Sequence, residues 1–261
     1  MNERVTERAE AAGGESSSLE RMIGLLDLFE EAGSRWNFDE IHGRLGYTRS
    51  TLYRYLKVLT DAEILTSLPG VGFTLGPRIA ELDYCMRARD PLIVASRPVM
   101  IELAADFPGI TLLCRRYRDK VLCVHQEQGN VGFRSTYERG LALPLLRGAA
   151  SRIILANLAA PKLARLYAQQ TEAFAAAGLG DTLDEVRATL KRIRSDGYDV
   201  TTEQVTSGLS GIAAPLFDSQ HNVLGSLSVT LQRKALDPDD INRIAERIMF
   251  GARIVSSAIA H

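Results

Sequence analysis

Thr48-Arg49-Ser50-Thr51-Leu52-Tyr53-Arg54-Tyr55-Leu56-Lys57-Val58-Leu59 is the stretch on which the fold turns. Leu52, Tyr55, Leu56 and Leu59 recur at the spacing of one buried helix face, and Thr48 offers a hydroxyl to cap the helix start. Arg49, Ser50, Tyr53, Arg54 and Lys57 fall on the other side. Between Gly46 and Thr60 there are three cations and no acid. Small hydroxyls admit close approach to a DNA groove, while guanidinium and ammonium groups reach phosphates or guanine edges. Arg49, Ser50, Thr51, Tyr53, Arg54 and Lys57 are therefore the candidate DNA contacts of a recognition helix. A merely solvated helix face would have the same polarity, so the flanking sequence decides.

Upstream, Leu19, Met22, Ile23, Leu25, Leu26, Leu28 and Phe29 form a helical stripe, with Ser18 placed as its N-cap and Gly33 at its end. A shorter helix is predicted from Phe38 to Leu45, with Asn37 as cap, Ile41 and Leu45 inward, and Gly46 closing it before a sharp turn. Downstream, Ile64 to Leu68 and Phe73 to Leu75 flank Pro69-Gly70-Val71-Gly72, which reads as a hairpin. Helix, helix, turn, helix, hairpin is the order of a winged helix-turn-helix, assigned to residues 18–78.

Charge alone would not nominate a DNA binder. From Leu19 to Leu68, six Lys/Arg face eight Asp/Glu, a net of −2. A winged helix that binds only protein is the competing reading, and the salt dependence of binding separates the two.

The whole chain has 261 residues, 46% hydrophobic and 24% charged, with net charge −1, which excludes collagen-like and mostly disordered classes and leaves one large or two smaller globular domains. Cys85, Cys114 and Cys123 contain no C-x-x-C pair and are odd in number, so no disulfide framework is implied and a reducing compartment fits. Residues 1–17, mixed in charge and ending in a Gly/Ser-rich run, read as a disordered tail without a signal peptide. The longest apolar window, Leu141 to Ala160, is broken by Arg147, Gly148 and Arg152 and makes no membrane span. A cytoplasmic location follows.

Pro77 to Ala88 looks helical, Asp90-Pro91 breaks it, and Leu92 to Phe107 is amphipathic again; residues 79–91 are taken as a linker helix and 92–261 as the second domain. Ile110 to Arg116 and Lys120 to Gln126 read as a hairpin by pattern, with Val131 to Tyr137 as a third strand. Ala149 to Leu158, Lys162 to Ala177 and Thr182 to Asp196 have helical periodicity, the last with Asp181 as cap. Gly211 to Phe217 and Val223 to Gln232 are strand-like, and a final helix runs from Pro238 to about Ile259. This order predicts an α+β domain around one antiparallel sheet flanked by helices.

Signatures of catalysis are scarce. Gly208-Leu209-Ser210-Gly211 lacks the second spacer residue of a nucleophile elbow, and no phosphate loop or dinucleotide fingerprint occurs. His42, His125, His221 and His261 lack metal-ligand spacing, and Cys114 and Cys123 on strands read as buried thiols. No cofactor, metal or catalytic residue is expected. The alternative of another class is a small-molecule enzyme with an N-terminal regulatory module, centred on Thr201, Ser210 and Ser228, which lack any paired base.

Several segments together resemble the IclR family of bacterial transcriptional regulators. They are Ser18-Leu19-Glu20-Arg21, Arg49 to Leu56, Gly72-Phe73-Thr74-Leu75-Gly76-Pro77-Arg78, Leu143-Pro144-Leu145, Ala149-Ala150-Ser151, Gly197-Tyr198, Gly208 to Asp218, and Gly225-Ser226-Leu227-Ser228-Val229. The resemblance covers nearly everything from Leu19 onward. It implies an N-terminal winged helix, a linker helix and a C-terminal GAF-like domain that binds a small organic acid or aromatic effector. It further implies a homodimer or tetramer on palindromic double-stranded promoter DNA, acting as repressor or activator. Two copies of one short reading helix, a helical turn apart, multiply specificity. By position, the resemblance places the effector pocket at Phe133, Ser135, Ala149, Ala150, Thr201, Leu209, Gly211, Ser228 and Thr230. Thr201 stands where some relatives have an acid, Gly211 where some have cysteine, and Ser151-Arg152 where glycine-lysine is usual. The small residues predict room for a ligand larger than a two-carbon acid, its carboxylate at the free amides of the helix starting near Ala149.

Overall fold

The computed structural model describes residues 17–30, 35–129 and 131–260. The chain divides into two compact units, Met1–Met86 and Arg87–His261.

In the first unit, α1 (Ser18–Gly24) is capped by Ser17, not Ser18: the Ser17 side chain accepts from the Glu20 amide and Glu20 returns the bond to the Ser17 amide. Ser18 instead meets the Tyr55 hydroxyl at 2.9 Å. The chain continues as a 3₁₀ turn, Leu25–Phe29; the expected end at Gly33 and the tail 1–16 lie outside the described residues. Asn37 caps α2 (Phe38–Leu45) with a reciprocal Glu40 bond, and Gly46 ends it in the left-handed region at φ 66°. Thr48 caps α3 (Arg49–Asp61). Leu25, Leu28, Ile41, Leu52, Tyr55, Leu56 and Leu59 close around one core. The hairpin β1 (Leu65–Leu68) and β2 (Gly72–Leu75) follows, and Trp36 bridges to Phe73. Gly72 is required there: its φ is +101°, and a Cβ would stand 2.6 Å from the Trp36 carbonyl oxygen.

α4 (Pro77–Arg89) carries the division between the units. Asp90 caps α5 (Pro91–Asp106), whose first residue is a proline, the position where a missing N–H costs nothing. The second unit is a six-stranded antiparallel sheet in the order β5-β4-β3-β8-β7-β6. The strands are β3 (Ile110–Tyr117), β4 (Lys120–Gln128), β5 (Ala142–Pro144), β6 (Asp199–Thr202), β7 (Leu209–Phe217) and β8 (Val223–Gln232). One face packs on α5 and α10 (Pro238–Ile259) through Met100, Leu103, Leu113, Leu227, Val229, Ile244 and Ile248. The other packs on α6 (Ala149–Ala156), α7 (Ala160–Gln169), α8 (Thr171–Ala176) and α9 (Leu183–Asp196) through Leu112, Cys114, Ile153, Ile154, Phe174 and Leu190. The antiparallel sheet with helices on both faces is the α+β arrangement expected of the GAF-like domain.

Three further local expectations differ from the structure. Val131 to Tyr137 forms no strand, because its polar groups are met elsewhere: Thr136 N–H donates to Thr206 Oγ1, Tyr137 N–H to Ser135 Oγ, and the Tyr137 hydroxyl to the Val121 carbonyl. The edge of β4 pairs with β5 instead. The single helix expected from Lys162 to Ala177 is broken at Gln170, whose φ of −141° leaves the helical region. Thr182, not Asp181, caps α9 through a reciprocal bond with Glu185.

Candidate functional site

On α3, Arg49, Ser50, Tyr53, Arg54 and Lys57 are exposed while Leu52, Tyr55, Leu56 and Leu59 are buried. Thr51 is half-buried and its Oγ1 accepts from the Thr48 hydroxyl at 3.0 Å, so it completes the cap. Arg49 is engaged within the protein: it lies 2.8 Å from Asp39 and stacks over Phe38 at 4.9 Å. Arg54 rests 5.7 Å from the Tyr55 ring, and neither it nor Lys57 forms an ion pair among the described residues. The exposed helix therefore offers two cations without an ion partner among the described residues, and a third that must exchange its carboxylate for any phosphate.

The second unit contains a cavity between α6, the loop 203–208 and the sheet. It is built by register. Thr201, Gly211, Thr230 and Ile110 stand in one row across β6, β7, β8 and β3; Asp199, Ala213, Ser228 and Leu112 form the next. The period-two alternation sends these side chains toward α6, while Leu227, Val229 and Leu231 go to the opposite core. Of the nine positions expected, Ser135, Ala149, Ala150, Thr201, Leu209, Gly211, Ser228 and Thr230 line this cavity. Phe133 does not: it packs against the apolar cluster under α6, and its segment contributes Ser135 and Tyr137 instead. The cavity volume is about 40 Å³, room for about three water molecules.

The amides at the start of α6 are only partly free. Gly148 at the N-cap has φ 82° and no side chain of its own to offer, so other elements supply the caps. Gly148 N–H donates to Gln204 Oε1 at 3.0 Å and Ala149 N–H to Thr201 Oγ1 at 2.9 Å. Two of the amides expected to be free at this helix start are thus taken, while the Ala150 amide next to them is reached by neither side chain. One turn on, half-buried Arg152 places Nε 2.9 Å from Oδ2 of the buried Asp199, without the alignment of a hydrogen bond. Burial pushes the Asp199 carboxyl up to about 6 despite the guanidinium.

Residues absent from the sequence-based set also line the cavity: Arg147 at its rim, Tyr137, Ser151 and Gln204. In the sequence Arg147 reads only as a break in an apolar window. Its position directly before Gly148 and the helix start was the available signal; Gln204 had none, because the short strand β6 that presents its loop was not anticipated.

The groups suited to covalent chemistry are committed or neutral. Ser210 Oγ meets Thr202 Oγ1 at 3.1 Å, and Thr201 caps α6. Cys114 and Cys123 face each other across β3 and β4; the hydrogen-bonding Cys114 thiol and burial push Cys123 far above the usual thiol range. Among the described residues no three His, Cys, Asp or Glu side chains gather as metal ligands. None of their helices is long and apolar enough to cross a membrane.

A winged helix with a polar reading face, followed by an α+β domain with a cavity between its sheet and a helix start, defines a DNA-binding transcriptional regulator. Residues 18–69 match the IclR helix-turn-helix domain and residues 87–257 the bacterial transcriptional regulator IclR C-terminal domain. The chain belongs to the IclR family. It is similar to the transcriptional repressor AllR of Klebsiella pneumoniae, 25% identical over 248 residues covering 94% of this chain and 90% of that one. An IclR regulator from Alicyclobacillus acidocaldarius superposes with a TM-score of 0.77 at 23% identity, covering 95% of this chain and 100% of the other. An IclR homologue from Microbacterium hydrocarbonoxydans, solved in complex with 4-hydroxybenzoate, gives 0.72 at 19% identity, covering 93% and 99%.

Proposed function

We propose that this regulator is ligand-responsive: Arg49, Ser50, Thr51, Tyr53, Arg54 and Lys57 meet DNA, and the cavity of the second domain takes a small organic acid that shifts DNA affinity. Residues 18–78 are the DNA-binding part, 79–91 a linker and 92–261 the effector domain. Two or four copies act together in the cytoplasm on a palindromic site, and the protein carries out no catalysis.

The observation that carries this reading is the division of α3 into a fully buried apolar face and an exposed face bearing Arg54 and Lys57 without ion partners among the described residues. The 4-hydroxybenzoate held by the Microbacterium homologue supports an acid as the ligand class. Effector control is a difference in affinity for two states of the protein, and its size is limited to that difference. Fluorescence anisotropy of the full-length protein on DNA from upstream of its own gene, at two salt concentrations with unrelated DNA as control, tests the DNA reading. Sequence-preferring binding that falls steeply with salt is expected. Salt-insensitive binding no better than control would return the protein-binding alternative.

A further inference from the structure

The cavity's walls select more narrowly than for organic acids in general. Its lining holds one cation, Arg147, and no carboxylate. Arg147 is exposed at the rim and forms no ion pair among the described residues. The Ala150 amide at the amino end of α6 adds a second feature favourable to a negative charge. Deeper, Ser228 on the sheet and Ser151 on α6 are 3% and 1% exposed, and neither hydroxyl has a protein partner. A buried hydroxyl without a partner costs about 1–3 kcal/mol. Two of them on opposite walls of one small cavity are a demand for hydrogen bonds from whatever fills it. The aromatic in the lining, Tyr137, has its hydroxyl committed to the Val121 carbonyl.

The geometry points to a small hydroxycarboxylate, a 2-hydroxy or 2,3-dihydroxy acid, as the ligand of this cavity. Its carboxylate meets Arg147 and the start of α6, and its hydroxyls meet Ser228 and Ser151. At about 40 Å³ the cavity is far below the roughly 150 Å³ that holds a single ring, so any acid must widen it at its open rim, a three-carbon acid least and a ring bearing a carboxylate most. The inference rests on the reading of the cavity as the effector site.

The test is calorimetric titration of the full-length protein with D-glycerate and L-threonate, against propionate and butyrate, which lack the hydroxyls, glycerol, which lacks the charge, and 4-hydroxybenzoate. A hydroxy acid is expected to bind at least tenfold more tightly than propionate or butyrate, with glycerol not detected. Ser228→Ala should erase that preference while leaving propionate unchanged, and Arg147→Gln should weaken all acids alike. Equal or tighter binding of propionate, butyrate or 4-hydroxybenzoate, or no binding by either hydroxy acid, overturns the inference. Gly211→Leu separates this failure from failure of the underlying reading. A Cβ at Gly211 stands 3.7 Å from Ala149 Cβ and 3.9 Å from Thr201 Oγ1, so a longer side chain enters the cavity without backbone conflict. Should Gly211→Leu not fold, Gly211→Val provides the same block with a residue suited to a strand. Acid binding that survives the block refutes the cavity as the effector site; an unhydroxylated acid that the block abolishes refutes only the hydroxy-acid assignment.

Discussion

Replacing Thr201 by valine removes one oxygen and almost no volume, which makes it a clean probe of how the cavity's roof is held. Thr201 Oγ1 accepts the Ala149 N–H at 2.9 Å, both residues being buried. Valine leaves that amide at the start of α6 without an acceptor. The loss of a hydrogen bond to a buried donor costs about 2 kcal/mol, which in a domain of this size lowers Tm by roughly 4–8 °C. Thr201→Ser keeps the acceptor and loses one methyl, about 1 kcal/mol. Thermal unfolding followed by far-ultraviolet circular dichroism ranks the three proteins: wild type, then serine, then valine. If valine were as stable as wild type, or serine as damaging as valine, the cap would contribute nothing and the account of α6 would be wrong.

Arg54→Ala is expected to weaken specific DNA binding by about 5- to 150-fold without changing Tm, measured by anisotropy and melting. Lys57→Ala should lower the slope of log affinity against log salt by about one if the ammonium neutralises a phosphate. Asp199 has a carboxyl at about 6 in the fold against 3.8 ordinarily, so the native state holds the proton more tightly than the unfolded chain between these values. Stability should accordingly fall by about 2 kcal/mol as pH rises from 4 to 6 and level off above about 7; Asp199→Asn, compared across the same range by urea unfolding, should abolish that slope. Gly72→Ala forces a Cβ to within 2.6 Å of the Trp36 carbonyl at φ +101° and should destabilise the winged helix by about 2 kcal/mol or more. Trp36 is the chain's one tryptophan, so its fluorescence reports that loss from the first unit alone.

The first unit was legible because its information is local. Asn37 with Glu40, Thr48 and Gly46 each fix a helix end within a turn of the chain, and the Leu52, Tyr55, Leu56, Leu59 stripe sets which face is buried. Where two neighbouring residues compete for one cap, as Ser17 with Ser18 or Asp181 with Thr182, the reciprocal glutamate three residues on decides. Val131 to Tyr137 alternates as a strand does, yet its Thr136 amide is met by the Thr206 hydroxyl far along the chain, which no local pattern records. The cavity was legible by family resemblance at Thr201, Gly211, Ser228 and Thr230 but not by periodicity. Its rows arise only when β6, β7 and β8 pair, and Arg147 and Gln204 come to the cavity only where the start of α6 meets the loop after β6.

The most direct test of the account is the affinity of the full-length protein for its own upstream DNA, measured by anisotropy with and without the acids of the panel, in wild type and in Gly211→Leu. The account predicts that an acid changes the wild-type affinity about 5- to 150-fold and leaves the cavity-blocked protein unmoved. An equal shift in both proteins, or no shift in either, would contradict it.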